Sequence, residues 1–457
     1  MLFNTVQYFV FLAVVVALFY LGREKWRRVL LLAASYLFYM CWNPVFILLV
    51  LALTLIDYYS AAWMEQVENP ARRRWLLVAS LAANLGFLGY FKYYNFFASN
   101  GALLLGRPAD AFALSIILPI GISFHTFQSM SYVVDVYRRE QRAIGNLIDY
   151  ALFIAFFPQL VAGPIVRARD FFRDLYHWQA PSASEVRQAV FLVLLGLAKK
   201  MVLADQFALV SDGYFQNVTA HPGAVPAWCG VVAFALQIFF DFSGYTDMAI
   251  GSAALLGYRF PVNFRRPYLA GSMTEFWRRW HISLSSWLRD YLYISLGGNR
   301  HGRWRTYRNL MITMLLGGIW HGASWNFLIW GGYHGLLLSL ERLVPVERIW
   351  KPLRVAPVFA LVCVGWVFFR AATLADSAFV LRQMFTNLHG IQTWRNWHWG
   401  LVITAFLLTV AEEKTGWVSR IGEAPAWIYA GAAAALLLGI EVFGITEQSI
   451  PFVYFQF

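Results

Sequence analysis

The sequence predicts an all-α polytopic membrane protein. Three observations carry that prediction. Apolar residues make up 59% of the 457-residue chain and charged residues only 14%, against about a half and a quarter in a soluble domain. The apolar residues gather in runs, several near the roughly 20 residues that a spanning helix needs. The basic residues gather in short loops between those runs, as the positive-inside rule describes.

The runs lie near 2–20, 28–41, 44–63, 75–91, 111–133, 147–165, 187–204, 226–256, 309–320, 324–341, 354–370, 400–411 and 425–443. They predict about eleven spans, with the shorter runs left as re-entrant segments or half-helices inside protein or beside a water-filled cavity. The first run has no basic residue ahead of it, and Arg23, Lys25, Arg27 and Arg28 follow it. With no small-residue cleavage site, it reads as a membrane helix with its N-terminus outside, not as a removed signal peptide. Basic loops at 23–28, 71–74, 138–142, 166–173 and 259–308 are expected in the cytoplasm. The charge-poor stretches 92–111 and 205–228 are expected outside. No repeat, low-complexity segment or long hydrophilic stretch interrupts the chain, so one membrane domain over 1–457 is expected.

The net charge of +12 is explained by those loops, and no nucleic-acid partner is expected. Cys41, Cys229 and Cys363 lie far apart in apolar context, which supports neither a disulfide framework nor a metal site. No P-loop, dinucleotide-binding turn or HExxH occurs. Residues 322–326, Gly-Ala-Ser-Trp-Asn, lack the final glycine of a nucleophile elbow.

Polar residues inside apolar runs carry the functional argument, because an ionisable group at bilayer depth is costly and marks a site by default. His321 lies in Gly317-Gly318-Ile319-Trp320-His321-Gly322-Ala323-Ser324-Trp325-Asn326. One helix over 310–340 would measure about 45 Å, too long for the hydrocarbon core. The glycines therefore predict a break, with Ser324 capping a second half-helix whose amino end points positive charge at the break. Residues 271–290, placed on one helix, put Trp277, Trp280, His281, Leu284, Trp287 and Leu288 on one face, with Arg278 and Arg279 opposite. His281 then points inward. In the 226–256 run, Gln237, Asp241 and Tyr245 share a face, while Asp247 lies about 120° from Asp241. That angle disfavours an acid–base dyad, and an ion pair to an arginine of the 259–308 loop is expected for at least one of the two. His125 is assigned a packing or channel-lining role. The 259–308 region holds ten Arg and no Lys. It suits anionic lipid and, in part, recognition of a phosphorylated or acidic acyl donor.

Three segments, 237–251 (QIFFDFSGYTDMAIG), 276–300 (FWRRWHISLSSWLRDYLYISLGGNR) and 317–335 (GGIWHGASWNFLIWGGYHG), in this order, resemble the membrane-bound O-acyltransferases. The resemblance is strongest to the bacterial subgroup that acts in alginate O-acetylation and in D-alanylation of teichoic acids, and it runs over most of the chain. It implies a helical membrane body around a central funnel, an essential histidine at His321 and a second motif histidine at His281. It implies acyl transfer from a cytosolic thioester, acetyl-CoA or a derivative, toward a secreted polysaccharide, directly or through a periplasmic esterase-like partner. It places the chain in the bacterial inner membrane.

The expected function is therefore membrane O-acyl transfer, most of all O-acetylation of an exopolysaccharide. His321 is the expected general base and His281 its companion. Trp320, Ser324, Asn326, Asp241, Tyr245, Arg278, Arg279 and His125 are the candidates for binding or lining the path. No tightly bound cofactor and no metal is expected; the acyl donor, the polysaccharide acceptor, the partner protein and membrane lipid are the expected associates. Two other readings stand beside this one. One is D-alanyl transfer from an acidic carrier protein, which the Arg-rich face would attract. The other is a transporter using the buried His, Asp and Gln as a polar pathway, although no inverted repeat is evident.

Overall fold

The computed structural model describes residues 1–161, 163–344, 348–386, 388–445 and 450–453. Among them every regular element is helical. Among the described residues, five helices are long and apolar enough to cross a membrane: Pro44–Gln66, Pro70–Leu104, Ala224–Leu255, Lys351–Arg370 and Ala426–Phe443. Val6–Leu21 is apolar but shorter. The chain is a multi-pass membrane protein.

Two compact units account for the described residues: Met1–Ser182 with Ser252–Pro261, and Ala183–Gly251 with Val262 onward. In the first, helix starts follow capping chemistry. Thr5, Asn69 and Asn146 each accept an N–H of the following turn, at the heads of Val6–Leu21, Pro70–Leu88 and Leu147–Ala155. Rings fill its interior, with Phe3 stacked on Tyr8 at 4.4 Å and Phe11 edge-on to Phe157 at 5.1 Å. The buried Asp57 accepts from Ser80 Oγ at 2.6 Å and Asn84 Nδ2 at 2.9 Å. A carboxylate without such donors would be expensive to hold there.

The second unit is organised by a helical hairpin, Arg303–His321 and Trp325–Glu341. The expected break is present, but the two helices do not continue one another. They fold back antiparallel. The reason is the glycines: a Cβ on Gly318 would strike the carbonyl oxygen of Phe327, and one on Gly331 the carbonyl oxygen of Met314. Glycine on both arms lets the backbones touch, and Ser324 accepts from Phe327 N at 3.5 Å to start the second arm. An aromatic layer packs against the hairpin. Trp280 lies 5.0 Å from Trp366 and stacks on Phe276 at 5.6 Å, while Trp330 stacks on Trp366 at 6.1 Å. Such pairs contribute about 0.5–1.5 kcal/mol each beyond area burial.

Candidate active site

His321 ends the first arm and sits at the hairpin tip. Its ring meets Trp320 at 4.9 Å, Trp330 at 5.1 Å and Phe369 at 5.1 Å, and only 5% of the residue is exposed. Trp320 is shared. Its centroid lies 6.3 Å from that of His281, so one indole joins both motif histidines. His321, Trp320 and His281 are thus brought together although 40 positions separate the histidines in the chain.

The segment around His281 corrects the single-helix expectation. It forms two short helices, Met273–Arg279 and Ile282–Trp287, parted at His281, whose φ is +43°. A non-glycine residue there costs about 1–2 kcal/mol, and a strap from the preceding loop offsets the cost. Ile282 N donates to the carbonyl oxygen of Asn263 at 2.9 Å, and Arg265 N donates to that of Arg279 at 2.9 Å. Asn263 Oδ1 accepts from Ser283 N at 3.1 Å and Ser283 Oγ at 2.8 Å, and lies 3.2 Å from His281 Nδ1. The imidazole is fully buried, edge-on to Phe242 at 4.6 Å.

Asp241 and Tyr245 share a face of Ala224–Leu255 as expected, but their partners differ from expectation. Among the described residues, lysines pair with these buried carboxylates. Lys200 Nζ lies 2.9 Å from Asp241 Oδ1 and 2.6 Å from Asp205 Oδ1, and Lys199 Nζ lies 2.6 Å from Asp247 Oδ2. The lysines come from the neighbouring apolar run, where a cation needs an acid close by. Asp241 Oδ2 also accepts from Val453 N at 2.6 Å. Tyr245 stacks on Phe452 at 4.6 Å, and Phe452 lies 5.7 Å from Phe242. The C-terminal segment is thus one ring away from His281.

The remaining candidates are spread out. Ser324 is the hairpin cap. The Asn326 amide donates to the Ala371 carbonyl at 2.8 Å and accepts from Ser377 Oγ at 3.4 Å, which commits it to the scaffold. Arg278 is exposed. Arg279 is held by Glu275 at 2.8 Å and Glu413 at 2.9 Å. His125, in the first unit, is buried on Ile122–Arg138 beside a cavity of about 10 Å³, room for about one water.

Asn263, Phe242, Trp330 and Phe369, which neighbour the histidines, are not among the residues expected from the sequence. Lys199 and Lys200 were legible as a signal, being two cations inside an apolar run. Asn263 was not, because nothing in its spacing points 18 positions ahead to His281.

The comparisons with known proteins identify the family. The family model described as MBOAT, membrane-bound O-acyltransferase family, matches residues 31–346. The chain is 44% identical over 399 residues to the probable alginate O-acetylase AlgI of Pseudomonas aeruginosa, covering 86% of this chain and 75% of that one. It is 36% identical over 405 residues to the peptidoglycan O-acetyltransferase of Helicobacter pylori, covering 81% and 76%. It is 27% identical over 284 residues to the teichoic acid D-alanyltransferase of Bacillus subtilis, covering 56% and 69%. The transporter reading falls away, for the chain is an O-acyltransferase that belongs to the membrane-bound O-acyltransferase family.

Proposed function

We infer that this chain moves an acetyl group from a cytosolic thioester, acetyl-CoA or its derivative, to hydroxyls of a secreted polysaccharide. It does so from the bacterial inner membrane, directly or through a periplasmic esterase-like partner. The observation that carries the reading is His321 at a hairpin tip, ringed by aromatics and joined through Trp320 to His281. The acceptor oxygen attacks the thioester carbonyl while His321 takes the hydroxyl proton. The tetrahedral oxyanion collapses, the C–S bond breaks, and the leaving thiolate takes the proton back from the imidazolium. The amino end of Trp325–Glu341, at the same tip, supplies partial positive charge for the oxyanion. The surrounding rings exclude water, which favours transfer to an alcohol over hydrolysis.

In this reading His281 is a positioning residue, held by the Asn263 strap and linked to the reacting imidazole through Trp320. Acetyl is favoured over D-alanyl because the relatives named for O-acetylation are more similar and aligned over more of the chain. The test is polymer acetylation in cells expressing H321A at normal protein level. Loss of acetylation is expected; retention sinks the role. Labelled acetyl-CoA against a D-alanyl-charged carrier protein, offered to the same membranes, separates the two donors.

A further inference from the structure

The opposite end of the hairpin from His321 carries a groove of about 550 Å³. Its lining divides into two halves. Arg303, Trp304 and Arg308, from the first turns of the Arg303–His321 arm, form a cationic and aromatic half. Met311, Leu340 and Leu343 form an apolar half. No acidic residue is among the described residues that line it. The nearby carboxylate of Glu341 is occupied by the backbone N–H groups of Met273 and Thr274 at 2.5 and 3.1 Å. Trp304 is 74% exposed and Leu343 64%.

We propose that this groove binds an anionic phospholipid of the cytoplasmic leaflet, with its phosphodiester on Arg303 and Arg308 and an acyl chain along Met311, Leu340 and Leu343. Guanidinium forks match phosphate oxygens. A soluble phosphorylated ligand would leave the apolar half bare, and an uncharged lipid would leave two arginines without a counter-charge. Trp304 stands where an indole prefers to lie, at the headgroup level. The basic region 259–308 places this end of the hairpin on the side where anionic lipid is found. The bound lipid ties the base of the hairpin to the bilayer while the tip carries the imidazole. This inference stands on the groove alone and holds whichever acyl group is transferred.

The test is native mass spectrometry of the detergent-solubilised full chain, titrated with dioleoyl phosphatidylglycerol or dioleoyl phosphatidylcholine. Retention of about one phosphatidylglycerol per chain is expected, roughly tenfold tighter than phosphatidylcholine. The R303Q/R308Q variant is expected to bring the two lipids level. L340W, which fills the apolar half without altering charge, is expected to weaken phosphatidylglycerol about tenfold. R259Q, a charge removed elsewhere, is expected to leave retention unchanged and so excludes a mere net-charge effect. Equal retention of both lipids by the wild-type chain overturns the proposal. So does unchanged phosphatidylglycerol retention in either groove variant, an R259Q loss as large as that of R303Q/R308Q, or displacement of the lipid by coenzyme A.

Discussion

The cage around His321 and the cluster around Lys200 are buried alike in the same unit, yet they manage polarity in opposite ways. Three aromatic rings surround the imidazole. Around Lys200, one ammonium is shared by two carboxylates, and the side chains of Lys200 and Asp241 are 3% and 1% exposed. Charge buried with charge is a scaffold, because each group is fixed by its partner. The imidazole packs instead among uncharged rings, surroundings that suit a group proposed to take up and return a proton. The same folding unit thus separates the residues that hold it together from the residue proposed to react.

That separation can be broken experimentally. K200M leaves Asp205 and Asp241 facing each other without a cation, and should cost about 3–5 kcal/mol, read as a fall in thermal stability of the solubilised chain. Adding D205N and D241N should recover much of that loss; if it does not, the cluster does more than balance charge. G331A drives a methyl into the Met314 carbonyl and should cost about 1–3 kcal/mol, with activity falling in step as the tip shifts. H281N retains a side chain that tolerates positive φ, and should lower transfer about tenfold, near 1.4 kcal/mol, at unchanged thermal stability. An H281N chain with wild-type turnover would remove the positioning role from His281.

The smallest effect lies at the edge of the unit. Burial alone would raise the Glu275 carboxyl, but Lys351, the Gly271 N–H and Arg279 together hold it below the usual carboxylate range. A carboxyl depressed by folding contributes stability above its unfolded value, and loses it as pH falls through the folded value. E275Q should therefore be less stable than wild type by about 0.5 kcal/mol near neutrality. The two melting curves should converge in acid, and a difference that grows on acidification would contradict the pairing.

Much of this was legible in the sequence, and the illegible part has a common cause. The hairpin break at Gly317–Gly322 and the Ser324 cap are local chemistry, readable from neighbours in the chain. That the arms fold back was harder, because the glycines that meet, Gly318 and Gly331, show their purpose only once paired. The break at His281 was invisible to periodicity, since helical phasing holds on either side of it. Asn263, which stabilises that break, comes from a loop whose composition reads only as basic. The carboxylates in the 226–256 run announced a need for cations, and the nearest in space proved to be lysines from another run, not the conspicuous arginines. Partners at long separation are what a single sequence conceals.

The most direct test concerns His321 itself. Transfer of labelled acetyl from acetyl-CoA to the acceptor glycan should be timed in proteoliposomes, for wild type and for H321Q, across a range of pH. If the imidazole takes the acceptor proton, H321Q falls by about 100-fold or more at every pH. An H321Q chain that transfers acetyl at the wild-type rate, with the same pH profile, would contradict the reading.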